Sequence, residues 1–198
     1  MSGGYRNRRV TRRPPACGHT LFRPLQFKAV NAFSDLIDAN NTFAASFGSG
    51  TLGAIPRQHL AVVTCMDCRI DPLAILGLQV GDIHVLRNAG ARITSDILRS
   101  LVKSVNQLEV ERIAIIQHTD CGAAKITLPG LRKKVLDTTG NDPEGVEFHL
   151  IGNQAEALAG DIEIVRTYPY LPVGTLIGGF IYDVETGLLD MQHNVVID

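Results

Sequence analysis

The chain has no tryptophan, only 6% aromatic residues and four cysteines among 198 residues. Cys17, Cys65, Cys68 and Cys121 are too few and too unevenly spaced to staple a chain of this size, so a disulfide scaffold is excluded and a reducing compartment is expected. Long apolar runs are also missing. The longest, at 112–117 and 175–182, fall far below the roughly 20 residues of a spanning helix, so no membrane segment is expected. A strong net charge is absent too: 19 basic and 20 acidic residues leave −1, and nothing global draws the protein to nucleic acid or an anionic membrane. A small neutral or weakly anionic ligand fits that balance better. One local imbalance stands out. No acid precedes Asp35, whereas Arg6, Arg8, Arg9, Arg12, Arg13, Arg23 and Lys28 all do. Residues 1–24 therefore read as a flexible basic arm; an Arg-rich, acid-poor start also resembles an organelle transit peptide. The expected location is the cytoplasm, with mitochondria as the alternative.

What is present fits one globular domain over 25–198, with an apolar fraction of 45%. Phe27, Val30, Phe33, Leu36 and Ile37 recur at helical spacing within 25–47, ahead of a Gly/Ser-rich break. Three short β-branched runs follow, at 59–65, 82–90 and 111–122, each as long as a buried strand. Helical patterns lie between them: one opens at Pro72, and another spans 94–109 behind Thr94 or Ser95 as cap. A partly helical stretch at 128–148, a helix within 150–171, and a strand, turn and edge strand at 174–191 complete the chain. Strands alternating with helices imply parallel pairing. The fold class is α/β: a mostly parallel central sheet flanked by helices, with an N-terminal helical arm and a C-terminal edge strand.

Ligands of such a sheet bind beyond the carboxyl ends of its strands. Cys65 ends the first predicted strand, and His118 and Cys121 end the third. Two thiolates and an imidazole suit Zn²⁺, and three protein ligands leave one position open. The stretch Cys65-Met66-Asp67-Cys68-Arg69 has two readings. As Cys-x-x-Cys it is a redox dithiol, or half of a closed structural site made with His118 and Cys121. As Cys-x-Asp-x-Arg in an extended chain, it points Cys65, Asp67 and Arg69 to one side and Met66 and Cys68 to the other. The helix signal starts only at Pro72, too late for the helix-start dithiol.

These segments, with "HVLRNAG" at 84–90, "DILRSL" at 96–101, "QHTDCG" at 117–122 and "GFIYDVETGLL" at 179–189, resemble the β-class carbonic anhydrases, a family that includes carbonyl sulfide and carbon disulfide hydrolases. The likeness covers about residues 30–191. It implies one Zn²⁺ per chain held by Cys65, His118 and Cys121, with Asp67 and Arg69 as a catalytic acid–arginine pair. Asn88, Gly90 and Gly122 would line the substrate pocket. The implied reaction is reversible hydration of carbon dioxide to bicarbonate and a proton through a zinc-bound hydroxide, or hydrolysis of carbonyl sulfide or carbon disulfide at the same site. The implied assembly is a homodimer or a dimer of dimers exchanging N-terminal helices. Cys68, where relatives usually carry Ser or Ala, and Gln117, where many carry Gly or His, depart from the pattern; so does the missing tryptophan. A zinc-stabilised interaction module and a thiol redox protein are the non-enzymatic alternatives, and neither needs the Asp67/Arg69 pair. His59, His84, His149 and His193 read as surface or packing residues, with His84 able to line the cleft. Arg87 reads as a dimer contact or a strand-end cap, and Asp120 as solvent-facing.

Overall fold

The computed structural model describes residues 32–48, 50 and 52–198. The expected basic arm at 1–24, with Phe27 and Val30, lies outside them. The chain divides between Gly50 and Thr51 into two units. In the first, helix α1 (Ser34–Ala45) buries none of its residues.

The second unit is built on a five-stranded sheet in the order β2-β1-β3-β4-β5, formed by β1 (Leu60–Cys65), β2 (Ile83–Asn88), β3 (Arg112–His118), β4 (Leu176–Tyr182) and β5 (Leu189–Val196). The first four strands run parallel and β5 returns antiparallel as an edge, as the alternation of strand and helix patterns requires. The helices are α2 (Pro72–Leu76), α3 (Ser95–Gln107), α4 (Gly122–Lys125), α5 (Leu128–Thr139) and α6 (Gln154–Arg166). Among the described residues no helix is long and apolar enough to cross a membrane.

Alternation along β1 sorts the core into two layers. Ala61 and Val63 face Ile97 and Leu101 of α3 and Leu158 and Ile162 of α6, while Val62 faces Ile70, Ile116 and Ile151 on the other side. The helix starts follow local chemistry. Asp71 accepts from the amides of Leu73 and Ala74 ahead of Pro72, Thr94 accepts from Ile97, and Asn153 accepts from Ala155 and Glu156. Helix α6 is shorter than the apolar pattern suggested. It ends at Arg166, because Pro169 disfavours helical geometry at Tyr168. Strand β5 runs past the expected end at 191 to Val196, paired along β4 up to Leu176.

Gly179 of β4 lies directly under Ile162 of α6. A Cβ there would overlap Ile162 Cδ1 and meet the His193 side chain at 3.3 Å. Gly179→Ala is expected to lower stability by about 1–3 kcal/mol through overpacking. Urea denaturation would read this as a lower midpoint at an unchanged m-value.

Candidate metal centre and active-site cleft

Strand β1 stops at Cys65, paired with Asn88 of β2, and on its other side Thr64 pairs with Ile116 of β3. The buried Thr64 hydroxyl donates to the Ile116 carbonyl at 2.9 Å, fixing the level of the two strands just below their ends. Two residues beyond that level β3 ends at His118, and a turn brings Cys121 to the start of α4. Cys65 Sγ and Cys121 Sγ are 4.0 Å apart, and the ligand atoms of Cys65, His118 and Cys121 all lie within 4.8 Å of one another. All three residues are buried.

The donors suit a metal on three counts. Two sulfurs on one tetrahedral zinc, each at ~2.3 Å, stand roughly 3.8 Å apart, close to the spacing found. His118 Nδ1 donates to the Thr119 carbonyl at 2.8 Å, which leaves Nε2 as the lone-pair nitrogen. That Nε2 is buried and has no hydrogen-bond partner, an expensive arrangement unless a cation takes the lone pair. Without metal, the hydrogen bond between the two sulfurs pulls Cys65 down against the upward push of burial, while the same bond and burial both push Cys121 up, so the two share a proton. Burial lowers the His118 pKa, but the Cys65 thiolate beside it more than offsets this, and the net shift is upward.

Cys68 is exposed and is not part of this cluster. The closed four-ligand site therefore lacks its fourth member, and Cys65 and Cys68, one buried and one exposed, form no disulfide. The extended-chain argument holds only as far as Asp67. There a turn closes, with the Ile70 amide donating to the Asp67 carbonyl at 3.1 Å, and it folds Arg69 back onto Asp67. Arg69 Nε donates to Asp67 Oδ1 at 2.9 Å and Nη2 to Oδ2 at 2.7 Å, a bidentate pair. Those bonds hold the Asp67 carboxyl well below the usual carboxylate range. Asp67 Oδ2 stands 3.9 Å from His118 Nε2, at the edge of the ligand triangle.

Gly90 has a φ of 80°, a conformation that glycine takes at no steric cost, and donates its N–H to Cys65 Sγ at 3.3 Å. A Cβ on it would press on Ala123 and Ile151, each at 3.2 Å. Gly90 and Gly122 both line a cleft of about 250 Å³ in front of the two cysteines, whose outer wall includes Met66, Ile126, Leu131 and Phe148. Asn88 does not line it. Its amide spans the adjacent turn, donating to Arg92 O at 2.7 Å and accepting from Arg92 N at 2.9 Å.

Arg87, read as a dimer contact or a strand-end cap, bonds the end of β1 as a cap does, whereas the partners of Asp120 and Asp161 were not visible in the sequence. Arg87 clasps the cysteine loop, donating to Cys65 O at 2.9 Å and to Asp67 O at 2.7 Å within the same chain. Asp120, expected to face solvent, bonds both Arg69 and Lys125. Buried Asp161 of α6 accepts from Arg92 Nε at 2.7 Å, Ile93 N at 3.1 Å and Gln117 Nε2 at 3.2 Å, which ties the Gly90 turn and β3 to α6. Only an unpaired acid in an apolar helix face hinted at that last role. His84 is placed away from the cleft, between the Ser104 hydroxyl and the Ala54 carbonyl, each at 3.0 Å.

Against known proteins, residues 60–144 match the carbonic anhydrase family model. The chain is 35% identical over 152 residues to β-carbonic anhydrase 1 of Mycobacterium tuberculosis, covering 77% of this chain and 93% of that one. The chain belongs to the β-carbonic anhydrase family. Within that family it is also 34% identical over 162 residues to a carbon disulfide hydrolase of Acidithiobacillus thiooxidans, covering 72% of this chain and 81% of the hydrolase. The fold is that of the Streptococcus mutans carbonic anhydrase, with a TM-score of 0.77 at 36% identity over 81% of this chain and 97% of that one.

Two outcomes are expected. Cys65→Ser abolishes stoichiometric zinc binding whereas Cys68→Ser retains it, as metal analysis of the purified proteins would show. Metal loading displaces at least one proton from the thiol pair, so zinc affinity falls as pH falls, by about tenfold per pH unit for each proton displaced. Chelator competition across pH 6–8 measures this. Separately, Asp161→Ala strands the Arg92 guanidinium and should cost ~3–5 kcal/mol in denaturant unfolding.

Proposed function

We infer that this protein is a zinc enzyme that hydrates carbon dioxide reversibly to bicarbonate and a proton. One observation carries the reading: a buried Cys65–His118–Cys121 triangle opens on an apolar cleft, with the ionised carboxylate of Asp67 at its edge. Zinc held there would supply the Lewis acidity that makes a water nucleophilic near neutral pH. Two thiolates cancel much of the metal charge, so the working range is expected on the alkaline side.

The chain's own residues do the rest. Asp67, kept anionic by Arg69, accepts a hydrogen bond from the attacking water and orients its remaining lone pair toward the substrate carbon. Arg69 is the anchor of that carboxylate, and without it Asp67 is free to turn into the triangle. The wall of Met66, Ile126, Leu131 and Phe148 suits an uncharged linear molecule and gives nothing to bind a large polar one. The Gly90 amide on Cys65 steadies that thiolate.

Hydrolysis of carbonyl sulfide or carbon disulfide is the second reading. The identity with a carbon disulfide hydrolase favours it, as does the same apolar wall, which accepts sulfur as readily as oxygen.

We assign the protein to a homodimer or dimer of dimers. Phe33, Leu36, Ile37 and Phe43 of the first unit are exposed, and the sheet of the second carries an apolar groove lined by Phe180 and Met191; each is surface that a second copy would cover. Among the described residues Cys65, Cys68 and Cys121 are free thiols, which suits the reducing cytoplasm.

The zinc-loaded protein is expected to hydrate carbon dioxide in a stopped-flow indicator assay faster than it releases sulfide from carbonyl sulfide. The reverse order would establish the second reading, and inactivity toward both would refute the enzyme. Arg69→Ala should keep one zinc per chain and lose about 10²–10⁴-fold in turnover; loss of the zinc would show that its role is structural. Sedimentation analysis should give at least twice the chain mass.

A further inference from the structure

Neither the ligand triangle nor the acid–arginine pair accounts for Asp120. It stands between two of the ligands, His118 and Cys121, in the left-handed backbone region, with φ of 58°. Aspartate is one of the few residue types that tolerate this conformation, and such positions persist where their surroundings over-determine them.

Here the surroundings are Arg69 and Lys125. Arg69 Nη1 donates to Asp120 Oδ2 at 2.7 Å and Nη2 to the Asp120 carbonyl at 3.2 Å, while Oδ1 takes the Lys125 ammonium. The left-handed turn is what lets both the carboxylate and the carbonyl of one residue reach the same guanidinium. Arg69 is thus gripped on two edges, by Asp67 through Nε and Nη2 and by Asp120 through Nη1 and Nη2. The Arg69 side chain is 43% exposed, and an ion pair that open to water is worth only ~0–1 kcal/mol. The Asp67 carboxylate is also held by the Arg69 amide on Oδ1 at 3.0 Å, whereas the exposed end of the guanidinium, at Nη1, has Asp120 as its partner. Asp67, 3.9 Å from His118 Nε2, has only a short way to move into the ligand triangle.

We propose that Asp120 is a positioning residue that holds Arg69 from behind, so that Arg69 keeps the Asp67 carboxylate facing the ligand triangle without entering it. This rests on the functional reading above. Lys125 does for Asp120 what Asp120 does for Arg69, so the alternating row Lys125, Asp120, Arg69, Asp67 runs from solvent to the buried ligands.

The test separates the carboxylate from the backbone turn. Asp120→Gly keeps the left-handed conformation and removes the side chain; Asp120→Asn keeps the shape, the conformation and one acceptor oxygen. Zinc content, kcat and KM for carbon dioxide, and the heteronuclear NOE of the Arg69 Nε–H group would be measured on the zinc-loaded full chain, the signal being assigned through Arg69→Lys. In Asp120→Gly, one zinc per chain is expected to remain and the Arg69 Nε–H signal to lose its order. Turnover should drop by about 10- to 10²-fold at unchanged KM, as a misplaced catalytic group costs. Asp120→Asn should fall between the two proteins in both readouts. An ordered Arg69 with parental kcat in Asp120→Gly would overturn the proposal, as would loss of zinc together with activity. If Asp120→Gly does not fold, parental values of both readouts in Asp120→Asn would overturn it. The order of Arg69 decides the positioning claim even if the parent turns over neither gas, which would instead sink the reading of the reaction.

Discussion

Everything at this site depends on the parallel ladder between β1 and β3. Its register places the end of β1 level with the end of β3, so two cysteines and a histidine that are distant in the chain meet at one edge of the sheet. Parallel pairing is slanted and slightly weaker per residue than antiparallel pairing, and it is kept here by burial on both faces. Ala61, Val63, Ile113 and Ile115 fill the α3/α6 side, while Val62, Ala114 and Ile116 fill the other. A slip of one residue would turn Cys65 from one face to the other and dissolve the triangle. The Thr64 hydroxyl on the Ile116 carbonyl marks the place where that slip is blocked by a bond and not only by packing.

Around this rigid edge the polar groups divide by depth. Asp161, in the core, serves the backbone: it binds the Ile93 amide and the Arg92 guanidinium, and so holds the turn that carries Gly90 to the Cys65 sulfur. Arg87 does a similar task from the second strand, gripping the carbonyls on either side of Met66. Nearer the surface the acid and base side chains alternate in sign, and the two in the middle, Asp120 and Arg69, are each held by two neighbours. This lets a half-exposed arginine hold a definite position where a single exposed ion pair could not. Deep rigidity for the ligands and a shallow charged row for the carboxylate are separate devices. They meet at Asp67.

The strand and helix patterns were legible to within a few residues, because a buried parallel strand and an amphipathic helix each leave a period in the chain. The meeting of Cys65, His118 and Cys121, which could hold a metal, was legible for a related reason. Cys65 and His118 end β1 and β3, strand ends in such a sheet face one side, and a short turn after β3 carries Cys121 to the same place. The separation of Cys68 from the site was foreseen from alternation, although the chain leaves the extended state at Asp67 and the turn there delivers Arg69 by another route. Arg87 was legible only as a strand-end cap, and the partners of Asp120 and Asp161 were not legible. Their partners are backbone carbonyls, backbone amides or side chains that no periodicity records. Asn88, expected in the pocket, braces the turn beside it for the same reason.

The sequence by itself determined which segments would be strands, which of their ends carried sulfur and imidazole, and that a carboxylate and a guanidinium lay two residues apart. These are local facts, set by side-chain chemistry and the two backbone periods. Only the tertiary structure decided that Asp67 lies beside the ligands held by Arg69, that Asp120 grips Arg69 from behind, and that His118 Nε2 is left as a buried unpartnered nitrogen. Those arrangements depend on the register between strands and on a turn at Asp67 and another at Asp120, and no single stretch of chain encodes such distances.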